Sequence, residues 1–422
     1  MKKTVLFGAG KSSTCLIDYL IKESSLQGWQ LTVADGNPGA AASRTGKAAH
    51  VYPVDLNVEN AAQRRTLVQD ADLVISLLPP SLHFLIAQDC IEFNKSLLTA
   101  SYVDDRIGKL RGEIEKRKLL FLCEMGLDPG IDHMSAMQLI HQVKAAGGKI
   151  QAFRSHTGGL VAPESDDNPW HYKISWNPRN IVTAGSAGAV YKEDGHIRNI
   201  PYTELFDACP TVSISGLGQL AFYPNRDSLA YMPVYALENA ATFIRTTLRH
   251  PEFCGHWKYI VKAGLTNDQQ PIRVQGLNFK RWSAPIEPYL MKENRGLFEW
   301  LGFFDEAPVP ANAKVSADIL QFLLETKWVM KPEDKDMIVM LHEIDYELGN
   351  AIRSLKSSLI VKGENNVRTA MAKTVGLPLG IAAKLILLGK IHLTGLHIPI
   401  LPEIYEPVLE ELKMHGIVFV ES

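Results

Sequence analysis

The first residues able to do chemistry stand near the amino terminus. Gly8-Ala9-Gly10-Lys11-Ser12-Ser13 directly follows the apolar run Val5-Leu6-Phe7. In a strand–turn–helix, Gly8 permits the tight turn and Gly10 lets the backbone approach a pyrophosphate. The helix beyond would turn unpaired N–H groups and the positive end of its dipole toward the phosphates. Ser13 stands where the third glycine of such a motif would be, so the match is incomplete. Its placement at a first strand favours a phosphate cradle of Lys11, Ser12 and Ser13 over an idle Gly-rich turn. Asp35 closes the next strand, in Leu31-Thr32-Val33-Ala34-Asp35-Gly36. An acid there can accept both ribose hydroxyls of NAD and repel the 2′-phosphate of NADP; the competing role is a turn residue before Gly36. Arg44 could still serve a 2′-phosphate, so NAD is preferred and NADP retained. Asp55 and Leu56 could reach the adenine. Ser76, Leu77, Leu78 and Pro79, at the end of a buried strand, would line the crevice on the nicotinamide side.

A second group of residues could move protons and hold anions. Ser101 and Tyr102 follow a strand end, where ligands of parallel sheets gather; Tyr102 could also pack on a core edge. Gly126-Leu127-Asp128-Pro129-Gly130-Ile131-Asp132-His133 reads locally as a helix start with Asp128 at the N-cap and Pro129 at the first helical position. An N-cap carboxylate is stabilised as the anion and is a weak base. The proton-transfer candidates are Asp128, Asp132, His133 and Tyr102, with Asp128 the weaker base for that reason. An imidazole is the side chain best suited to proton relay near neutrality, which brings in His133, although a buried structural histidine accounts for it equally well.

Positioning these residues takes alternating strands and helices. Strands are expected at Thr4–Phe7, Gln30–Ala34, Leu73–Leu78, Ser96–Ala100 and Leu119–Cys123, with a helix at Ser13–Lys22. This alternation predicts a parallel sheet covered on both faces. The α/β class follows: a Rossmann domain over 1–125, completed by 392–422, and a substrate domain over 126–236 and 329–391 with a mixed or antiparallel sheet. Residues 237–328 read as an all-helical insert, with helices Leu237–Leu248, Asn294–Phe303 and Ser316–Lys327. Strand-like pieces fall at Val182–Ala184, Val212–Ile214, Met337–Leu348 and Ala351–Val361, the last two joined by a turn at Leu348-Gly349-Asn350. Two helices, Val367–Val375 and Leu379–Leu388, are separated by Gly376-Leu377-Pro378. A helix at Tyr405–His415 and a strand at Ile417–Val420 would return to the first sheet.

Composition narrows the function classes. The 422 residues carry 44 Lys plus Arg against 46 Asp plus Glu, a net charge of -2. That gives no general attraction to nucleic acid, so cations that bind an anionic substrate must be local. No stretch of 18 uninterrupted apolar residues occurs, and no membrane span is placed. Five scattered cysteines form neither a disulfide framework nor a zinc site, which fits a reducing, cytoplasmic setting. No metal-binding spacing such as HExxH is present, and no metal is expected. Oligomeric state leaves no mark; a homodimer is compatible with it.

Several long strings occur together: Gly126–His133, Pro163–Trp176, Tyr223-Pro224-Asn225-Arg226-Asp227-Ser228, Arg245-Thr246-Thr247-Leu248-Arg249 and Ala370–Pro378. With the amino-terminal motif they resemble the saccharopine dehydrogenase family, specifically its glutamate-forming branch, from Gly8 nearly to the end. The resemblance implies oxidation of saccharopine with water and NAD(P)⁺ to glutamate, 2-aminoadipate 6-semialdehyde and NAD(P)H. The fungal members use NADP and lack an acid at the end of the second strand, so Asp35 departs from them. The resemblance places substrate at Ser101, Tyr102, Asp128, Arg226, Thr247, Leu248 and Arg249, and cofactor near Trp176 and Arg179. Arg226 could instead make a surface ion pair, Arg249 could close a helix C-terminus, and Trp176 could be core packing. A substrate with three carboxylates calls for guanidinium forks, which favours the two arginines. We expect Asp128 to orient substrate or cofactor, with a water or His133 relaying the proton. Two other readings remain: a carboxyspermidine-type dehydrogenase, and a dinucleotide-sensing protein without turnover.

Overall fold

The computed structural model describes residues 1–422. The chain divides into two compact units, Met1–Gln142 with Val367–Val418, and Val143–Asn366 with Phe419–Ser422. The expected boundary at 125/126 thus falls later, within the helix Ile131–Ala145, and 367–391 belongs with the first unit.

The first unit is built on a parallel sheet. Its strands are β1 (Lys3–Phe7), β2 (Gln30–Asp35), β3 (Val51–Asp55), β4 (Leu73–Ser76), β5 (Ser96–Thr99) and β6 (Leu120–Leu122), with Gly395–His397 as a seventh. Their order is Gly395–His397, β6, β5, β4, β1, β2, β3. The order reverses between β1 and β4, which opens the crevice where doubly wound sheets bind ligands. Central strands such as Leu73–Ser76 are fully buried, because helices cover both faces. The seventh strand corrects one expectation. Gly395–His397, not the carboxyl-terminal strand, completes this sheet; the terminal strand Val420–Glu421 pairs in the second unit.

The two helices expected on either side of Gly376-Leu377-Pro378 are one, Ala370–Leu387, with Pro378 inside it. An interior proline costs about 3 kcal/mol, and near-complete burial offsets it. A Cβ on Gly376 would lie 2.8 Å from the backbone of Leu16, and one on Gly380 would lie 2.6 Å from Tyr19. These two glycines therefore bring the helix hard against Thr14–Gln27. Ala370–Leu387 has the length and hydropathy of a membrane span, yet 78% of it is buried in the protein; it is a core helix.

The second unit carries a mixed ten-stranded sheet. Its strands are β7 (Lys149–Val161), β8 (Ala189–Glu193), β9 (His196–Ile200), β10 (Thr211–Ile214), β11 (Gly218–Pro224), β12 (Arg226–Asp227), β13 (Thr242–Arg249), β14 (Asp336–Leu348) and β15 (Ala351–Lys362), with Val420–Glu421 at one edge. β13 runs parallel to β7, and β14 antiparallel to both β7 and β15. The β14–β15 hairpin closes through Gly349-Asn350, with Leu348 opposite Ala351. The helical insert is smaller than expected. Leu237–Leu248 is no helix: its second half is the buried strand β13, rich in β-branched Thr242, Ile244, Thr246 and Thr247. Helices do form at Pro251–Lys262, Lys292–Leu301 and Ser316–Lys327. They enclose a core rich in aromatics, including Trp170, Trp257, Trp328, Phe253 and Phe298. Val182–Ala184, expected as strand-like, ends a short helix, Pro178–Val182.

Candidate active site

The amino-terminal cradle has the geometry its glycines imply. Gly8 has φ +112°, and a Cβ there would meet the carbonyl oxygen of Leu77 at 2.5 Å. Gly10 differs: its Cβ direction is open, with nothing within 4 Å. Lys11–Ser13 forms a single 3₁₀ turn leading into the helix Thr14–Gln27, and no side chain caps either start. The leading N–H groups therefore lack side-chain acceptors, as a phosphate site requires. Ser13, in the place of the third glycine, is buried and donates its hydroxyl to the Gly10 carbonyl at 2.8 Å. It braces the loop, while Lys11 and Ser12 remain accessible.

Asp35 sits at the mouth of this cradle. Its carboxylate accepts the Ala9 N–H at 2.7 Å and the Asn37 N–H at 2.8 Å. Asp55 is exposed and accepts the Gly39 N–H at 2.9 Å. Leu56 corrects an expectation: its side chain is in the core with Val5, Phe7 and Ala34, which leaves only Asp55 to offer an exposed group toward an adenine nucleoside. Leu77 and Leu78 are half-buried and Pro79 is exposed, on the loop after β4. Arg44 is half-buried on the short helix Ala40–Thr45.

At the carboxyl ends of β4 and β5 a histidine overlooked in the sequence joins two predicted residues. His83 Nδ1 lies 2.8 Å from the Ser76 hydroxyl, and Nε2 lies 2.8 Å from that of Ser101. Burial pushes the imidazole down to about 4, only partly opposed by Asp104. The ring is therefore neutral near pH 7. A signal was available: Pro79-Pro80-Ser81-Leu82-His83 closes the apolar run Leu73–Leu78 that contains β4.

Tyr102 donates its hydroxyl to Asp128 at 3.0 Å, both side chains being half-buried. Asp128 is not an N-cap, since the helix begins at Ile131. It lies in a loop in which Gly126 N–H bonds the Pro129 carbonyl and Ile131 N–H bonds the Gly126 carbonyl. The Asp128–Pro129 peptide is cis, and Gly130 has φ +147°. A Cβ on Gly130 would fall 2.0 Å from the Gly126 carbonyl. Asp132 accepts the Gly130 N–H at 2.6 Å. His133 is completely buried and meets Glu124 at 2.8 Å, and Glu124 also accepts the Val103 N–H at 3.1 Å. This pair ties the Asp128 loop to the segment carrying Tyr102.

The remaining expected residues lie in the second unit. Arg226 is exposed, with φ +52°, at the start of the two-residue strand β12, in a segment held by Asn225 N–H on the Arg245 carbonyl and Arg245 N–H on the Ser228 hydroxyl. Such a non-glycine conformation costs about 1–3 kcal/mol and persists at sites that present a side chain. Thr247 and Arg249 share one face of β13, and Leu248 points to the other. Leu248 is fully buried with Leu160, Leu220, Met337 and Val339, so its side chain cannot touch substrate. Arg249 ends a strand and precedes the helix Pro251–Lys262, which removes the helix C-terminus role. Its guanidinium is buried over Tyr172 and Phe253. It donates to the Leu248 carbonyl, makes no ion pair, and leaves Nε without a partner. Trp176 packs on the aromatic core and donates to the Tyr172 hydroxyl at 3.2 Å. Arg179 is engaged by Asp318 of the helical insert.

Switch-point crevice, uncapped helix start and acidic second-strand end together define a dinucleotide-binding protein of the α/β class. Family models agree along both units. Residues 4–122 match the saccharopine dehydrogenase NADP binding domain, and 126–417 match the saccharopine dehydrogenase C-terminal domain. The chain belongs to the saccharopine dehydrogenase family. It is 31% identical to the Saccharomyces cerevisiae saccharopine dehydrogenase [NADP(+), L-glutamate-forming], over 98% of this chain and 97% of that one. The structure of apo saccharopine dehydrogenase (L-Glu forming) from the same yeast superposes with a TM-score of 0.89 at 31% identity, covering 100% of this chain and 99% of that one. The mouse mitochondrial alpha-aminoadipic semialdehyde synthase is 35% identical over 99% of this chain. The chain spans about half of that relative, 47% of its length. The cofactor class is a nicotinamide dinucleotide.

Proposed function

We propose that the protein oxidises saccharopine, consuming water and NAD(P)⁺ and yielding L-glutamate, 2-aminoadipate 6-semialdehyde and NAD(P)H. The observation that carries an anionic substrate is Arg249. A guanidinium taken out of water without a counter-ion is costly, and a substrate carboxylate supplies the missing acceptor. Arg226, exposed on β12 with a positive φ, serves as a second fork for a tricarboxylate. Thr247 shares the face of Arg249 and offers a hydroxyl.

The bound nicotinamide supplies the hydride acceptor. The chain's own residues bind, orient and manage the proton. Tyr102 and Asp128 form a hydroxyl–carboxylate pair beyond the carboxyl end of β5, suited to orienting the substrate amine and taking its proton through the phenol or a water. His133, buried against Glu124, holds the loop that presents Asp128. The names of the fungal relatives weigh for NADP; Asp35 and Asp55 weigh for NAD, which is the preference this chain's residues support. A reducing, cytoplasmic setting is part of the reading, supported by five free cysteines.

Reduction of NAD⁺ and NADP⁺, followed at the nicotinamide absorbance with purified protein and saccharopine, is the direct test. Turnover with stoichiometric glutamate is expected. Folded protein that binds NADH yet turns over neither cofactor would remove this activity.

A further inference from the structure

The hydrogen-bonded chain Ser76–His83–Ser101 has a direction that burial settles. Ser76 is completely buried, and its hydroxyl has one partner, His83 Nδ1. Ser101 is half-buried, its hydroxyl has one partner in the protein, His83 Nε2, and its backbone carbonyl is held by the Glu124 N–H at 3.1 Å. A neutral imidazole carries one N–H and one bare nitrogen. If the proton sat on Nδ1, the buried Ser76 hydroxyl hydrogen would have no acceptor, a loss that buried polar groups seldom bear. With the proton on Nε2, Ser76 donates to Nδ1 and Nε2–H donates to the Ser101 oxygen. Every buried group is then satisfied. The one hydrogen left over is that of the Ser101 hydroxyl, on the half-buried end of the chain.

We propose that His83 is a positioning residue, locked by Ser76 in the Nε2–H form, so that Ser101 offers its hydroxyl as a donor to a carboxylate oxygen of the substrate. This rests on the saccharopine reading and deepens it. The lock holds at working pH. Burial keeps the ring neutral down to about pH 4, against the opposing pull of the Asp104 carboxylate. An accepting hydroxyl would repel a carboxylate's lone pairs; a donating one selects for them.

Two substitutions separate positioning from mere packing. The Asn amide reaches about where Nδ1 lies, and the Gln amide about where Nε2 lies. His83→Asn should therefore keep the Ser76 contact and lose Ser101, while His83→Gln should keep the Ser101 contact. For His83→Asn the saccharopine KM should rise roughly tenfold, the loss of one such hydrogen bond, with NADH affinity and kcat little changed. His83→Gln should recover most of that loss. Wild-type levels in both variants, or equal damage to both with NADH binding lost as well, would overturn the proposal.

A measurement free of substrate keeps the two readings apart. Two-bond ¹H–¹⁵N spectra of histidine-labelled protein, with His83 assigned from the Gln variant, should show the neutral Nε2–H form near neutral pH. An Nδ1–H pattern would overturn the lock whatever the kinetics. The Nε2–H pattern in a wild-type protein inert toward saccharopine would support the lock and remove the saccharopine reading alone.

Discussion

Asp35 and Asp55 stand directly opposite one another at the carboxyl ends of neighbouring parallel strands. Asp35 draws in Ala9 N–H of the glycine turn, and Asp55 draws in Gly39 N–H of the loop after β2. Two carboxylates so placed suit ribose hydroxyls and oppose a 2′-phosphate. Asp35→Ser should shift the ratio of kcat/KM for NADP⁺ over NAD⁺ upward by roughly tenfold or more, the equivalent of about 1.4 kcal/mol. Because Asp35 also braces Ala9, some loss with NAD⁺ should accompany the shift. An unchanged ratio would remove Asp35 as the discriminating residue.

The two glycines of the turn should separate folding from binding. A Cβ on Gly8 meets the Leu77 carbonyl in a conformation side chains rarely adopt, whereas one on Gly10 enters open space. Gly8→Ala should therefore lower the melting temperature by several degrees, on the scale of about 1–3 kcal/mol of strain. Gly10→Ala should melt as wild type but weaken NADH, by roughly tenfold or more in a fluorescence titration. Wild-type affinity in Gly10→Ala would mean that no phosphate approaches there.

The legible part of this protein is where burial and punctuation agree. Five strands of the first sheet are short apolar runs, three of them punctuated by Gly8, Asp35 or Pro79, and they fold within two residues of their expected ends, whereas Val51–Asp55, with Tyr52 and Pro53 exposed, and the three-residue Gly395–His397 carry no such signal. β13 was misread because both its faces are buried, which erases the alternation that marks a strand. Its run Thr242–Thr247 held the signal, in β-branched residues rather than in period. Ala370–Leu387 was cut at Pro378 because a local breaker looks decisive until the packing of Gly376 and Gly380 against Thr14–Gln27 is known. At the site, motif residues were legible one by one, and their partners were not. Nothing local announces that His83 joins Ser76 to Ser101, or that Leu248 turns away from its neighbours Thr247 and Arg249.

His133 offers a test of holding against proton relay. It is buried, with Nε2 on Glu124, and the loop it steadies presents Asp128. His133→Asn, whose shorter amide does not reach the Nε2 position, should lower stability by about 1–3 kcal/mol, as expected when a buried hydrogen bond to Glu124 is lost. The pH dependence of kcat should keep its shape. Disappearance of one limb of that profile in the variant, with stability intact, would make His133 the relay.

Glu343 links acid stability to the centre of the second sheet. His156 on β7 faces it at 3.3 Å and Lys356 on β15 at 2.6 Å. The bond from His156 is the foremost cause, followed by that from Lys356, of a carboxyl held down to about 2. A depressed acid adds stability that is fully present above its unfolded value, near 4.5, and is lost as pH falls through 2. Glu343 is partly exposed and Lys356 largely so, so solvent screening reduces the contribution to about 1–2 kcal/mol. Glu343→Gln should thus lower the urea midpoint at pH 7, and the gap from wild type should close progressively between about pH 4.5 and 2. A gap that stays constant across that range would assign the loss to packing around His156 and Phe222, whose rings lie 4.7 Å apart, rather than to the carboxylate's charge.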